Sequence, residues 1–203
     1  MKYGMVIDLR RCVGCNACTI ACKQQYGNPP GIFYSHVNIS EVGTYPAARI
    51  TPLPVLCNHC DEPPCVDVCP TGASQKQANG IVTIDENKCI GCRYCMVACP
   101  YNVRQFIGTS PVGYYPDKGG LTAYEKVAYA AHQVGTVEKC SFCAARLAQG
   151  QLPACVLTCP PQARIFGDLE DPTSQVSKLI AQFNAQPLNP EAGTKPNVYY
   201  IGL

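Results

Sequence analysis

The chain has 203 residues, a formal charge of +2 and sixteen cysteines, a length that suits one ordinary domain or two small ones. Without the cysteines the apolar share falls from 47% to roughly 39%, with no Trp, 17 Gly and 18 Pro, so a staple of disulfides or metal is expected to hold the fold. No window approaches eighteen apolar residues, and no basic stripe with interleaved aromatics occurs; a helical membrane span and nucleic-acid binding are therefore not expected.

The N-terminal run Met1-Lys2-Tyr3-Gly4-Met5-Val6-Ile7-Asp8 lacks the basic, apolar and small-residue parts of a secretory signal, and Arg10-Arg11 runs directly into a cysteine cluster rather than forming a twin-arginine motif. A disulfide framework, which needs an oxidising compartment, is therefore not the expectation. Tyr3 to Asp8 reads as a short strand that ends where a cysteine loop begins. That loop is group one, Cys12-x2-Cys15-x2-Cys18-x3-Cys22, with a helix expected over Asn16 to Gln24. Group two is Cys57-x2-Cys60-x4-Cys65-x3-Cys69-Pro70. Ile81 to Asp85 is a second short strand, and group three follows as Cys89-x2-Cys92-x2-Cys95-x3-Cys99-Pro100, with a helix over Tyr94 to Cys99. A proline after the last cysteine stops the helix in groups two and three.

Residues 107–137 are rich in Gly and Tyr and read as an inserted surface segment with a short helix over Tyr124 to His132; contact with a partner is one role for it. Group four is Cys140-x2-Cys143-x11-Cys155-x3-Cys159-Pro160. Asp171-Pro172 has the form of an N-cap followed by a first-turn proline, and Val176, Leu179, Ile180 and Phe183 then make one apolar helical stripe, suited to the chain's own core. The tail ends in a β-like Val198-Tyr199-Tyr200-Ile201.

An internal repeat runs through this order. Ile7-Asp8-Leu9-Arg10-Arg11-Cys12-Val13-Gly14-Cys15 aligns without gaps on Ile84-Asp85-Glu86-Asn87-Lys88-Cys89-Ile90-Gly91-Cys92, and Ala21-Cys22 continues it against Ala98-Cys99. Two copies imply duplication of a small metal-binding module. Short strands, short helices and wrapped loops give an α+β fold class.

A C-x2-C-x2-C loop wraps three irons of a cubane, because each two-residue spacer turns the chain around a corner. The fourth cysteine, followed by Pro, ligates a second cluster, so such motifs work in pairs. Structural zinc sites prefer two C-x2-C pairs separated by a spacer, which fits groups one and three poorly. Cys92 completes group three, so all four sites are expected to be four-iron, four-sulfur cubanes. Four of them at about −2 each would bring the formal charge to about −6. His59 lies between Cys57 and Cys60, where it either tunes a cluster or is a solvated loop residue; His36 and His132 are isolated. Lys23, Arg93, Lys139 and Arg146 flank cysteines and serve either as counter-charges or as ordinary surface charge. Every cysteine is committed, so no nucleophile–base set is legible, and no glycine-rich dinucleotide or phosphate loop is present.

The four groups in this order, with Cys-Asn-His-Cys-Asp-Glu-Pro-Pro-Cys at 57–65, Cys-Pro-Thr-Gly-Ala at 69–73 and Lys-Cys-Ser-Phe-Cys at 139–143, resemble the four-cluster ferredoxin-like subunit of the dimethyl sulfoxide reductase family. The tail motifs at 166–172 and 190–196 look most like the branch serving polysulfide, thiosulfate and arsenate reductases. The resemblance implies two ferredoxin-like modules: groups one and four at 1–56 with 138–170, and groups two and three at 57–106. The insertion 107–137 and the helix and tail at 171–203 complete the chain. It further implies that Cys12, Cys15 and Cys18 share a cluster with Cys159, and Cys140, Cys143 and Cys155 with Cys22. Likewise it implies Cys57, Cys60 and Cys65 with Cys99, and Cys89, Cys92 and Cys95 with Cys69. The implied partners are a large molybdopterin (Mo or W) catalytic subunit and a quinol-interacting membrane anchor, with co-export of this chain to the extracytoplasmic face and the cytoplasm as the other location. The expected role is non-catalytic electron transfer; a free-standing polyferredoxin and a structural zinc protein are the alternatives.

Overall fold

Met5, Val6 and Ile7 are fully buried because β1 (Tyr3–Asp8) is an interior strand. It pairs antiparallel with β8 (Arg164–Asp168), which leaves the last cysteine of group four. On its other side it pairs parallel with β10 (Val198–Ile201), which in turn pairs with β9 (Gln186–Pro187). A strand flanked on both sides and covered above and below reads as a continuous apolar run rather than as an alternation. The computed structural model to which these elements belong describes residues 1–115, 117 and 119–203; Pro116, at the end of the Tyr-rich run, and Lys118 lie outside the described residues.

Helix α7 (Gln175–Phe183) packs on this sheet. Val176 is fully buried, and Leu179 and Ile180 join Val6, Ile165 and Ile201 in one apolar cluster, so Val176, Leu179 and Ile180 belong to the chain's own core, while Phe183 at the end of the stripe is exposed beneath the Arg10 guanidinium. The helix begins at Gln175, not directly after Asp171. The Asp171 carboxylate instead accepts the Thr173 N–H at 2.8 Å and closes a turn, and the Ser174 hydroxyl caps the helix through the Ser177 N–H at 3.3 Å.

Helix α1 (Ala17–Tyr26) runs two residues past its expected end and stops at Gly27, whose φ of 62° closes the C-cap onto Lys23. β2 (Ser35–Val42) and β3 (Arg49–Leu56) form an antiparallel hairpin. Pro52 and Pro54 lie at alternate positions of this two-stranded sheet, where a strand with a free edge tolerates missing donors. The remaining elements are short: α2 (Pro64–Asp67), β4 (Ser74–Lys76), β5 (Val82–Ile84), α3 (Tyr94–Val97), β6 (Arg104–Phe106), α4 (Ala123–Tyr129), β7 (Val137–Lys139), α5 (Ala144–Leu147) and α6 (Ala154–Leu157).

One rule organises the pairing. The strand entering each group's first cysteine pairs with the strand leaving another group's last cysteine: β1 with β8, β3 with β2, β5 with β4 and β7 with β6. The repeated sequence also makes the same turns. The Asp8 carbonyl accepts the N–H groups of Arg11 and Cys12 at 3.1 and 3.2 Å, and the Asp85 carbonyl those of Lys88 and Cys89, both at 3.1 Å. The N–H groups of Asp8 and Asp85 donate at 2.8 Å to the carbonyls of Ala163 and Ala73, each four residues past a Cys-Pro cysteine.

The inserted segment is anchored rather than detached. Glu125 completes a capping box with Thr122 at the start of α4 and also accepts the Tyr114 N–H at 2.8 Å. The Tyr124 hydroxyl donates to the Gln24 carbonyl of α1 at 3.2 Å. Among the described residues no helix is long and apolar enough to cross a membrane.

Candidate functional site

Cysteines of different groups come together, those of groups two and three partly through the β4–β5 pairing. Cys69 of group two lines one cavity with Cys89, Cys92 and Cys95 of group three. Cys99 of group three lines another with Cys57, Cys60 and Cys65 of group two. For the other two groups the electrostatic neighbours tell the same story. Burial pushes the Cys12 thiol up, and Cys18 and Cys159 add to the effect. Cys22 is pushed up by burial and then by Cys155 and Cys143, and fully buried Cys140 by burial and then by Cys22 and Cys155. These thiols stay neutral near pH 7 until a metal replaces their protons.

The donors suit a cubane rather than a single ion. Two cavities are each lined by four cysteines, three of one group and one of another, whereas structural zinc sites use two C-x2-C pairs. Four thiols spread around a cavity match a cluster whose irons occupy four corners.

Backbone donors converge on the sulfurs. The N–H groups of Ser74, Val137 and Phe142 lie 3.4 Å from the Sγ atoms of Cys69, Cys89 and Cys140, and that of Ala163 lies 3.2 Å from Cys159 Sγ. Such bonds favour the more negative, reduced state of a cluster. Exposure differs between the groups. Cys15 and Cys92 are exposed, while Cys57, Cys60 and Cys65 of group two and Cys140, Cys143 and Cys155 of group four are buried.

His59 is not a solvated loop residue: it is fully buried, its Nδ1 accepts the Val82 N–H at 3.0 Å, and its ring lies 3.9 Å from that of Phe142. Burial, helped by the charges of Lys139, Arg104 and Lys76, drives its pKa well down, so the ring is neutral. It thus joins the loop of group two to the loop of group four. His132 is not isolated either; its Nδ1 lies 2.7 Å from Glu138 Oε2 and its Nε2 lies 3.1 Å from the carbonyls of Tyr26 and Gly27. His36 is half-buried on β2, where burial and then Arg164 lower its pKa.

The cations flanking cysteines divide. Lys139 is buried and donates to the carbonyls of Val82 and Cys140. Lys23 donates to the carbonyls of Pro29 and Ile32 at 3.0 and 2.8 Å, Arg146 to that of Leu152 at 2.9 Å, and the Arg93 guanidinium lies 3.8 Å over the Phe106 ring. Two cations escaped the reading of the sequence. Arg104 and Arg164 are almost wholly buried beside cysteines of two groups each. Their common signal was there: each stands five residues after the last cysteine of its group, Cys99 or Cys159.

Two models of a 4Fe-4S dicluster domain match the chain, one over residues 48–110 and 121–169 and the other over 11–73. With the sixteen cysteines, these define a protein that carries four 4Fe-4S clusters. The chain is 42% identical to the iron–sulfur subunit of the arsenate respiratory reductase of Shewanella sp. (strain ANA-3), over 99% of this chain and 96% of that protein. It is 42% identical to a subunit of the tetrathionate reductase of Salmonella typhimurium, over 100% of this chain and 73% of that one. It is 44% identical to a subunit of the selenate reductase of Mesobacillus selenatarsenatis, over 99% and 72%. The chain belongs to the iron–sulfur subunits of the dimethyl sulfoxide reductase family, and its role is electron transfer without catalysis of its own. Each of these relatives is named as a subunit of a reductase, which gives no support to a free-standing polyferredoxin.

Proposed function

We propose that this chain passes single electrons between a quinol-linked membrane anchor and a molybdopterin-bearing (Mo or W) catalytic subunit, at the extracytoplasmic face to which it is co-exported with that partner. The clusters are held as Cys12, Cys15, Cys18 and Cys159; Cys140, Cys143, Cys155 and Cys22; Cys57, Cys60, Cys65 and Cys99; and Cys89, Cys92, Cys95 and Cys69. The first two sets form one ferredoxin-like module, over 1–56 and 138–170, and the last two form its duplicate, over 57–106.

The observation that carries this reading is the exchange of the fourth cysteine: two cavities are each lined by three cysteines of one group and one of another. The matched turns at Asp8 and Asp85 support the duplication. When bound, a cubane supplies a one-electron couple and no open coordination position for a substrate. The chain's own residues do the rest. Loops wrap the sulfurs, backbone N–H groups polarise them, and buried Phe142 and His59 close the seam between the loops of groups two and four to water.

Replacing Cys92 by Ser tests the assignment. The expected result is one altered cluster signal and loss of quinol-linked turnover, while an artificial donor still drives the partner's site. Retained quinol-linked turnover with all four cluster signals unchanged would overturn it.

A further inference from the structure

We propose that Arg104 and Arg164 are matched counter-charges, each shared by the two clusters of one module and each donating guanidinium N–H groups to cluster sulfur. Each of them then sets two reduction potentials together. The proposal rests on the ligand assignment above.

The two arginines occupy equivalent places. Arg104 is the first residue of β6 and Arg164 the first of β8, each five residues beyond the cysteine that crosses to the other cluster of its module. Each donates one hydrogen bond to a serine that opens the strand leaving the other crossing cysteine. Arg104 Nη1 bonds Ser74 Oγ of β4 at 2.9 Å, and Arg164 Nη2 bonds Ser35 Oγ of β2 at 3.1 Å. The guanidinium therefore spans its module from one half to the other. Arg104 lines the cavity of Cys57, Cys60, Cys65 and Cys99, while its partner Ser74 lines that of Cys69, Cys89, Cys92 and Cys95.

Both cations are almost wholly buried, at 2% and 3% exposure, and among the described residues neither forms an ion pair with a carboxylate. A buried charge left without a counter-charge is strongly unfavourable. The remaining terminal nitrogens, Arg104 Nη2 and Arg164 Nη1, are buried and find no hydrogen-bond partner among the described residues. What surrounds them is sulfur. The sulfurs beside Arg104 are those of Cys65, Cys57 and Cys95, and those beside Arg164 are Cys155 and Cys18. In each case the sulfurs come from both clusters of the module. A guanidinium remains charged at every accessible pH, so its effect is independent of pH. A fixed cation favours the more negative, reduced state and raises the potential.

The test is a redox titration of the intact complex followed by electron paramagnetic resonance. In Arg104→Met two of the four couples, those also altered by Cys92→Ser and Cys60→Ser, are expected to fall. At fixed ambient potential the oxidised-to-reduced ratio of each rises about tenfold, which is about 59 mV for one electron. Arg164→Met moves the other two, and Arg104→Lys restores most of the loss. No couple moved, one couple moved alone, or all four moved alike, with iron intact, would overturn the proposal. If the Met variants lose iron, unsubstituted complex with 15N-labelled arginine decides: pulsed resonance is expected to find nitrogen coupled to reduced clusters, and its absence overturns the proposal. A wrong ligand assignment would show itself separately, as Cys→Ser variants that alter the wrong signals.

Discussion

Gly14 and Gly91 hold the same place in the two copies of the repeat, and both have left-handed backbones, with φ of +68° and +66°. Alanine at either position costs about 1–2 kcal/mol for that conformation alone. The surroundings then separate the two sites. A Cβ on Gly14 would meet side chains, Pro52 Cβ at 3.2 Å and Ile39 Cδ1 at 3.5 Å, which yield by a few tenths of an ångström. A Cβ on Gly91 would lie 2.1 Å from the carbonyl oxygen of Gly135, in a turn whose own N–H is tied to the Ile107 carbonyl at 2.7 Å. Backbone must move there, which adds roughly 1–3 kcal/mol of overpacking. The totals are about 1–2 kcal/mol for Gly14→Ala and about 2–5 kcal/mol for Gly91→Ala. At roughly 2–4 °C per kcal/mol for a chain of this size, they become shifts of roughly 2–8 °C and 4–20 °C. Anaerobic thermal scans at a single rate, followed by cluster absorbance, measure both, since cluster loss makes unfolding irreversible. In Gly91→Ala the first signal lost should be the one that Cys92→Ser alters. Equal shifts for the two variants would refute the steric argument.

Removal of iron should cost the fold as well as the electron path, because Cys18, Cys22, Cys57, Cys60, Cys140 and Cys155 share the main buried cluster with Met5, Ile7, Leu56, Phe142 and Tyr200. Chelated chain is expected to lose hydrogen-exchange protection across β1; full protection in iron-free chain would contradict this. The pKa of His132 is raised, first by its hydrogen bond to Glu138 and against burial, so the folded state holds the proton more tightly than the unfolded state. That stabilisation is complete below the ordinary histidine value of 6.5 and is lost as pH rises through the higher folded value. His132→Gln should therefore flatten the decline of stability above that point, and an unchanged decline, measured as thermal stability against pH, would count against the pair.

What was legible in the sequence was local. Ligand spacing, the repeat and the α7 stripe are each written within a few turns of chain, so Cys12 to Cys22 and Val176 to Ile180 announce themselves. What was hidden depends on partners far along the chain. The β2–β3 hairpin carries Pro52 and Pro54, which argue against a strand until its free edge is seen. His59 stands in a cysteine loop rich in polar residues, and only Val82 and Phe142, distant in sequence, reveal its burial. Lys139 reads equally as surface charge, yet β7 carries it inward opposite Arg104. Arg104 and Arg164 lie outside the cysteine motifs, and only their burial and their bonds to Ser74 and Ser35, distant in sequence, reveal their place beside the clusters.

Elemental analysis of the anaerobically purified native complex, counting Fe, Zn, Mo and W per copy of this chain, tests the central claim most directly. Four cubanes beside a molybdopterin partner predict about sixteen irons or slightly more, with one Mo or W. Zinc in place of iron would contradict the cluster assignment, and about sixteen irons without Mo or W would contradict the proposed partner.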